Sequence, residues 1–464
     1  MEGENKITQG VIWKQILVFF FPILLGTFFQ QLYNTADAMI VGNYVGKNAL
    51  AAVGGATGTI VNLLVGFFVG VSAGSTVIIS QYFGAGKRRE TSQAVHTSIA
   101  LGIVGGAVLM VLGLVFSPMI LGLMDTPDEV MGSAVTYISI YFGGMIFNLL
   151  YNMGAGILRA IGDSKRPLYY LIVCTIVNIA LDLLFVAVLN MGVAGAGIAT
   201  VLAQVISAAL VIHRLIRTEE CYKLNIREIR FNGFILKNII RIGLPTGLQS
   251  VMYNLSNIFV QAAVNSFGVS VMAAWTAYGK IDGLFWMIMT AFGTAVTTFA
   301  GQNFGAGRYD RIRGSVRACL VMSFITSALL SGLLMALSGT AFRLFSNEAE
   351  VISEGVAMMR SLVPFYFTYV CVEILSGAMR GAGDSFIPMV LTALGVCVLR
   401  ITWVKLMLPV WNSMQTVTFS YVLTWSVTSV MFIVYYLHGG WLRRQIRRAG
   451  MPPEVRKKRE KVSC

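Results

Sequence analysis

Charged residues are scarce in this sequence. Only 12% of its 464 residues are Asp, Glu, Lys or Arg, while 56% are hydrophobic, and the mean hydropathy is +0.73. Soluble domains average about 25% charged residues, so the composition excludes an ordinary soluble protein. Because the apolar runs reach about 20 residues, the length of a membrane-spanning helix, we expect an all-α integral membrane protein.

Residues that bind metals or carry out catalysis are also few. The three histidines, His96, His213 and His438, are isolated, and the six cysteines show no metal-ligand or redox spacing. No nucleophile–base pair stands out. We therefore expect no metal centre, no cofactor and no enzymatic activity.

Apolar runs recur along the whole chain and predict twelve transmembrane helices. Their approximate bounds are 16–41, 50–80, 94–116, 133–157, 168–189, 194–216, 239–264, 270–300, 316–340, 357–379, 386–409 and 416–438. With an even number of spans, both termini lie on one side. That side carries 29 of the 35 Lys and Arg residues, and the opposite loops carry three. The bias places both termini in the cytoplasm of a cell-membrane protein.

The net charge of +14 is explained by this distribution. Basic loops and a basic tail at an anionic lipid leaflet are expected for a membrane protein. No nucleic-acid-binding pattern accompanies the charge, so the bilayer is the expected partner and nucleic acid is not.

The two halves of the chain repeat each other at an offset of about 221 residues. Gln81–Gly86 (QYFGAG) recurs as Gln302–Gly307 (QNFGAG), and Arg159–Ser164 (RAIGDS) recurs as Arg380–Ser385 (RGAGDS). The repeat predicts two pseudo-symmetric six-helix lobes with a substrate path between them. The expected division is an N-terminal lobe at 1–216, a basic linker at 217–238, a C-terminal lobe at 239–440 and a basic tail at 441–464.

The first span carries a polar stripe. Gln30, Asn34 and Asp37 share one helix face, and Tyr33 lies within reach of Asp37. An acid in so apolar a segment is expensive and usually faces a cavity or a partner. Asp37 is therefore a functional-site candidate, although an acid near a helix end can also serve as a cap.

A second acid lies at matching depth in the fifth span. Asn178 and Asp182 share a face at i, i+4 spacing, and Thr200 in the sixth span has a similar depth. Two carboxylates in a low-dielectric environment repel each other, which favours binding of a proton. Alternatively, the oxygens of Asn178 and Thr200 complete a site for a hard cation such as Na+. The sequence does not determine whether the site binds H+ or Na+.

The chain resembles the multidrug and toxic compound extrusion (MATE) family along nearly its whole length. The resemblance rests on Pro22, on the stretch from Gln30 to Gly42 and on the two paired loops. It implies twelve helices in two lobes and efflux of organic, often cationic compounds driven by entry of Na+ or H+. It also suggests a monomer.

Within that family, the chain is most similar to the DinF-like branch. Tyr33, Asp37, Asn178, Asp182 and Thr200 match the N-lobe cluster of that branch, while the span-7 glutamate of the NorM-like branch is missing. The internal repeat also indicates that the acidic cluster belongs to the N-terminal half alone, because Asp37 aligns with Val260 and Asp182 with Trp403 in the C-terminal half. The resemblance implies a coupling-ion site at these five residues and Asn34.

The C-terminal half contains two further acids within spans, Asp282 and Glu373. They either bind substrate or ions directly, or pair with Lys280, Arg400 or Lys405. Aromatic faces attract organic cations and methionine adapts to varied shapes, which extends the candidate list. The expected substrate-binding residues are Gln30, Asn152, Tyr278, Asp282, Trp286, Met287, Tyr366, Tyr369 and Glu373.

Together these features predict a secondary active multidrug antiporter that works by alternating access and exchanges small organic cations for H+ or Na+. An alternative is a flippase of related architecture for lipid-linked oligosaccharide or lipid. The cations Lys280, Arg400 and Lys405 within spans favour that alternative, because it needs a basic cavity for pyrophosphate.

Overall fold

The computed structural model describes residues 6–124 and 126–450, and helices account for all the regular structure in them. In chain order the α-helices are α1 (Ile12–Tyr44), α2 (Lys47–Gly54), α3 (Ala56–Gly84), α4 (Arg88–Leu123), α5 (Asp128–Gly143), α6 (Met145–Ala160), α7 (Lys165–Asp182), α8 (Gly192–Arg217), α9 (Gly233–Asn265), α10 (Val269–Gly305), α11 (Tyr309–Ala336), α12 (Ser338–Arg343), α13 (Ala349–Leu362), α14 (Phe367–Gly381), α15 (Phe386–Thr392), α16 (Leu399–Met407), α17 (Met414–His438) and α18 (Trp441–Arg448). Two π-helical segments lie within this order, at Leu183–Val188 and Ala393–Val398.

The helices are long enough to form the predicted twelve spans. Nine stretches within the described residues have the length and hydropathy of a membrane span, and two bent helix pairs bring the number to eleven. The remaining long helix is α9, which has 33 residues. Its polar stripe of Gln249, Asn254, Asn257 and Gln261 explains its lower hydropathy. The all-α membrane fold is confirmed, and twelve spans are consistent with it.

The internal repeat is visible in the backbone. Helices α1 and α9 both have 33 residues and both contain a proline, Pro22 and Pro245. The turns of the repeated loops also match: Gly86 and Gly307 have φ of +69° and +68°, and Gly162 and Gly383 both have φ of +98°. These left-handed conformations need glycine, which is why the glycines recur in both halves.

Each lobe also contains a bent span at the same place in the repeat. The bend between α5 and α6 is 48°, and the bend between α13 and α14 is 51°. The second coincides with a 3₁₀ turn containing Pro364, whose ring cannot continue a helix. The first falls at Gly144 without a proline, which the sequence alone does not predict.

The two lobes are α1–α8 and α9–α17, which we call the N-lobe and the C-lobe. They are joined by residues 218–232, because α9 begins at Gly233 with the side chain of Asn232 accepting hydrogen bonds from two backbone N–H groups of its first turn. Beyond the C-lobe, α18 packs its Trp441, Leu442 and Ile446 into the protein. The remaining part of the predicted tail, residues 451–464, lies outside the described residues.

The lobes meet closely at one face, which we call the basic face. It is formed by the turns after α3, α6, α10 and α14, which carry the repeated motifs. A Cβ on Gly84 would overlap the carbonyl oxygen of Gln302, and one on Gly305 would overlap that of Gln81. Small residues allow such close backbone approach in membranes. The C-lobe helix α10 therefore meets the N-lobe helix α3 with almost no space between their ends.

The contact continues toward the middle of the molecule. A Cβ on Gly70 of α3 would lie 2.5 Å from Gly247 of α9, and one on Gly74 would lie 2.7 Å from Gly243. On the other side, Phe20 of α1 stacks on Phe292 of α10 with ring centroids 4.1 Å apart. These contacts lie in the half of the helices nearer the basic face, so the lobes are closed there.

Candidate coupling and substrate sites

The acids predicted in the N-lobe are held by neighbouring helices. Asp37 lies on α1, and Asn178 and Asp182 lie on α7, which runs beside α1 in the same direction. The Thr175 hydroxyl donates a hydrogen bond to the carbonyl of Phe29 at 3.2 Å. Asp37 follows Phe29 by eight residues, and Asp182 follows Thr175 by seven. Since each helical residue advances the chain by the same distance, the two acids lie at nearly the same depth along the paired helices. Because α1 packs against α7, the two carboxyl groups lie near each other.

This cluster has buried polar atoms that lack partners. Asp37 is 5% exposed, Thr200 of α8 is 2% exposed, and Asn178 and Asp182 are fully buried. Both oxygens of Asp182, both amide atoms of Asn178, one oxygen of Asp37 and the Thr200 hydroxyl have no hydrogen-bond partner within the described chain. Buried polar groups are nearly always paired, so these atoms have the properties of a site for a small polar ligand.

Three polar residues that the sequence did not single out complete the N-lobe cluster. Tyr137 and Tyr141 of α5 are buried, and both lie near the carboxylate of Asp37. Tyr141 also lies near Gln204 of α8, whose two amide atoms have no hydrogen-bond partner in the structure as described. Their positions follow from the packing of α5 on α8. No signal in the sequence pointed to them, because the bend at Gly144 that sets the direction of α5 is not marked by a proline.

The π-helical segment Leu183–Val188 begins directly after Asp182. Such segments are rare and are frequent at functional sites. In the C-lobe, the other π-helical segment, Ala393–Val398, is followed closely by the buried Arg400. Each lobe thus places a buried charge beside an irregular turn of its fifth span.

The remaining predicted residues of α1 differ in position. Tyr33 interacts with Tyr141, Asp37 and Asp182 and therefore belongs to the cluster. Asn34 and Gln30 are exposed, and the nearest polar partner of the Asn34 amide is Gln31 at 3.5 Å. Neither joins the two acids, so Asn34 lies apart from the coupling-ion site for which it was predicted, while Gln30 remains a candidate contact for a substrate.

In the C-lobe, Asp282 is the centre of a neutral hydrogen-bond network. Its carboxylate accepts hydrogen bonds from the hydroxyl of Tyr366 at 2.6 Å and that of Tyr278 at 3.2 Å, and from the indole N–H of Trp286 at 2.7 Å. The Tyr278 and Tyr366 hydroxyls also lie 3.2 Å apart. Three predicted substrate residues therefore surround a fourth, Asp282.

Glu373 has a separate network. Tyr369 donates to it at 3.3 Å and lies 3.1 Å from the hydroxyl of Tyr253. Within the described residues neither Glu373 nor Asp282 forms an ion pair with Lys280, Arg400 or Lys405, so the neutralisation alternative is wrong for this structure. Buried tyrosine and tryptophan donors replace the cations. Which residue faces an acid depends on the rotation of neighbouring helices, which the sequence does not give.

A cavity of about 570 Å³ lies in the C-lobe and reaches Gly66 of the N-lobe. Trp286, Tyr369 and Glu373 line it, together with Arg400, which the sequence singled out as a cation within a span. Further lining residues, not predicted as substrate contacts, are Gln249, Tyr253, Asn257, Tyr421 and Trp425. Asp282, Tyr278, Tyr366 and Met287 are not among the lining residues, and Asn152 hydrogen-bonds to Asn148 of its own helix. Three of the nine predicted substrate residues therefore line this space.

Comparison with known proteins identifies the family. The family model MatE matches residues 22–184 and 245–403, one segment in each lobe. The chain belongs to the MatE family. Its fold and membership make it a multi-pass membrane transporter of the multidrug class and not an enzyme, as the motifs predicted.

Relatives match over almost the full length. The chain is 28% identical over 455 residues to the probable multidrug resistance protein YoeA of Bacillus subtilis, covering 96% of this chain and 97% of that one. The crystal structure of a MATE protein in the bent conformation covers 97% of this chain and 100% of its own, with a TM-score of 0.89 at 20% identity. A second structure, described as the outward-facing conformation of a multidrug resistance MATE family transporter, also has a TM-score of 0.89, at 21% identity. At these identities the structures establish the fold alone.

Proposed function

We propose that this transporter is a secondary active antiporter that exports organic, often cationic compounds in exchange for H+ or Na+. The observation that carries the proposal is the N-lobe cluster, in which Asp37 and Asp182 are buried side by side with unpartnered oxygens. We further propose that the protein is a monomer in the cell membrane, with the basic face and both termini in the cytoplasm.

The chemistry of the cluster suits a small cation. Two carboxylates in a medium of low dielectric constant repel each other, and a bound cation removes that repulsion. A proton does so by neutralising one acid. Na+ does so as a hard ion that prefers oxygen ligands, of which Asn178 and Thr200 supply two more.

Coupling requires that the ion bind one conformation better than the other. The cluster lies away from the basic face, where the lobes are closed. In the proposed orientation the ion thus reaches Asp37 from outside while the cytoplasmic side is sealed. Each positive charge that then moves inward contributes about 2.3 kcal/mol per 100 mV of membrane potential, which drives export.

The proposal is tested by ethidium transport in reconstituted vesicles under an imposed Na+ gradient and, separately, a pH gradient. Transport should follow one of the two gradients and fall to the background of protein-free vesicles in Asp37→Asn. Asp128→Asn provides the matched control, because Asp128 is an exposed acid at the start of α5, and its transport should equal that of the wild type.

Gradient-driven transport that persists unchanged in Asp37→Asn would overturn the assignment of the N-lobe site. Absence of transport under both gradients, with correctly folded protein, would instead favour the alternative of a flippase for lipid or lipid-linked oligosaccharide.

A further inference from the structure

Arg400 is a buried charge without an acid. It is 2% exposed, lies on α16 in the middle of the C-lobe and forms no ion pair within the described residues. Its guanidinium group stands over the ring of Tyr421, 3.9 Å from the centroid. The group donates to the Thr424 hydroxyl at 3.2 Å and to the Asn257 amide oxygen at 3.5 Å, while its Nε–H has no partner. Two neutral acceptors leave most of its five donors unused.

An unneutralised guanidinium is costly in a membrane protein. Charged side chains at this depth usually pair with one another or face a pathway for ions or substrates. Within the described chain Arg400 is unpaired with an acid and faces open space, because it lines two neighbouring cavities, of about 570 Å³ and about 480 Å³. The smaller one also contains Lys405.

The other charges that line the larger cavity do not cancel this one. Among its described lining residues Glu373 is the one acid, and it forms an ion pair with neither Arg400 nor Arg380, which lies two turns further along the same helix. Two arginines and one acid leave at least one positive charge in the lining uncompensated. Asp282 is outside the cavity lining and is already occupied by its three neutral donors.

The fifth spans of the two lobes carry opposite charges, although not at equivalent positions of the repeat, in which Asp182 aligns with Trp403. In the N-lobe, the fifth span carries Asp182 beside the first span. In the C-lobe, the corresponding span carries Arg400, within hydrogen-bonding distance of Asn257 on α9, the helix that corresponds to α1. The buried charge of the fifth span is therefore negative in one lobe and positive in the other.

We propose that the C-lobe cavity binds a soluble aromatic carboxylate, with Arg400 as the contact for the carboxylate group. A planar guanidinium matches the geometry of a carboxylate. Aromatic side chains supply the surface for the ring of the ligand. Those lining the cavity are Tyr253, Trp286, Tyr369, Tyr421 and Trp425. The inference rests on the proposed function and extends it by adding an anionic class of cargo.

The test compares equilibrium binding of radiolabelled 1-naphthoate and of its neutral analogue 1-naphthamide to the full-length protein in phosphatidylcholine nanodiscs. The wild type should bind naphthoate at least ten-fold more tightly than the amide. Arg400→Gln should lose that preference and leave amide affinity unchanged, while Arg400→Lys should retain part of it. Arg166→Gln, on α7, is the control and should match the wild type.

Equal affinity of the wild type for the two probes would overturn the proposal. So would an unchanged naphthoate preference in Arg400→Gln. A parallel fall in affinity for both probes in Arg400→Gln and Arg400→Lys would also contradict it, because that result assigns Arg400 a purely structural role. Displacement of naphthoate from the wild type by phosphatidylglycerol in the nanodisc would overturn a soluble cargo in favour of a lipid headgroup.

Asp37→Asn separates this inference from the proposed antiport. The variant should lose gradient-driven ethidium transport but keep the preference for naphthoate. If antiport is wrong and Arg400 is correctly assigned, transport fails to respond to either gradient and the preference remains. If only Arg400 is wrongly assigned, gradient-driven transport is intact and the preference is absent.

Discussion

Gln81 and Gln302 are equivalent residues of the two repeats, and each donates a hydrogen bond across to the other lobe. The Gln81 amide donates to the carbonyl of Gly381 at 2.8 Å, and the Gln302 amide donates to the carbonyl of Ala160 at 2.6 Å. The two acceptors are themselves separated by the repeat offset. The pair therefore forms a reciprocal latch, with one bond from each lobe, at the basic face.

Breaking this latch should open the basic face. Each bond contributes about 0.5–1.5 kcal/mol, so Gln81→Leu combined with Gln302→Leu should shift the ratio of closed to open molecules by roughly ten-fold or more. Pulsed electron paramagnetic resonance measures the change as a longer distance between two nitroxide labels, one on each lobe. The labels are attached at Arg89→Cys and Asp310→Cys, which are exposed and equivalent in the repeat, in a variant without the native cysteines.

Gln261→Leu is the control for the latch, because the amide of Gln261 bonds to Asn265 of the same helix. It should leave the distance distribution unchanged. A distribution identical to that of the wild type in the double variant would show that the latch does not hold the lobes together.

The close contact between α3 and α9 at their glycines should not tolerate a larger side chain. In Gly70→Ala the new methyl group would lie 2.5 Å from backbone atoms of Gly247 in the other lobe, so the lobes have to separate. We expect a folded protein with ethidium transport reduced at least ten-fold. Gly332→Ala, on α11 with no heavy atom near the added Cβ, should transport normally. Full activity in Gly70→Ala would contradict close contact of the lobes during the transport cycle.

The network around Asp282 should stabilise the C-lobe. Tyr366→Phe removes the shortest of three hydrogen bonds to this carboxylate, and loss of a donor to a buried charged group costs about 1–3 kcal/mol. We expect thermal unfolding in detergent to occur several degrees lower than for the wild type. Phe367→Leu, at an exposed neighbour, should show a much smaller change. An unaltered unfolding temperature in Tyr366→Phe would mean that the bond does not contribute to stability.

Much of the fold followed from the sequence because its determinants are local. The apolar runs gave the spans, and the repeated motifs gave the two lobes, since the same turn needs glycine at the same φ in both. Helix limits were less accurate, because α9 begins at Gly233 inside the stretch expected to be linker. The bend at Gly144 was not predicted, because no proline or polar residue marks it.

The candidate sites divide in the same way. Asp37 and Asp182 could be placed together from their depth alone, because both lie on helices running in the same direction. Tyr137 and Gln204 could not be placed beside these acids from the sequence, since their positions depend on how α5 and α8 are rotated relative to α1. For the same reason the sequence left open whether Asp282 pairs with a cation. Its partners are tyrosine and tryptophan, and Arg400 contacts Tyr421 and Thr424 instead of an acid.

The central claim is that Asp37 and Asp182 together bind the coupling cation, and ion binding to the purified protein tests it most directly. Binding of ²²Na+ at constant pH, and proton uptake on acidification without Na+, are measured for the wild type, Asp37→Asn, Asp182→Asn and the control Asp128→Asn. We predict that one of the two ions binds the wild type and the control, and that binding falls at least ten-fold in each N-lobe variant. Ion binding that is unchanged in both Asp37→Asn and Asp182→Asn would contradict the account.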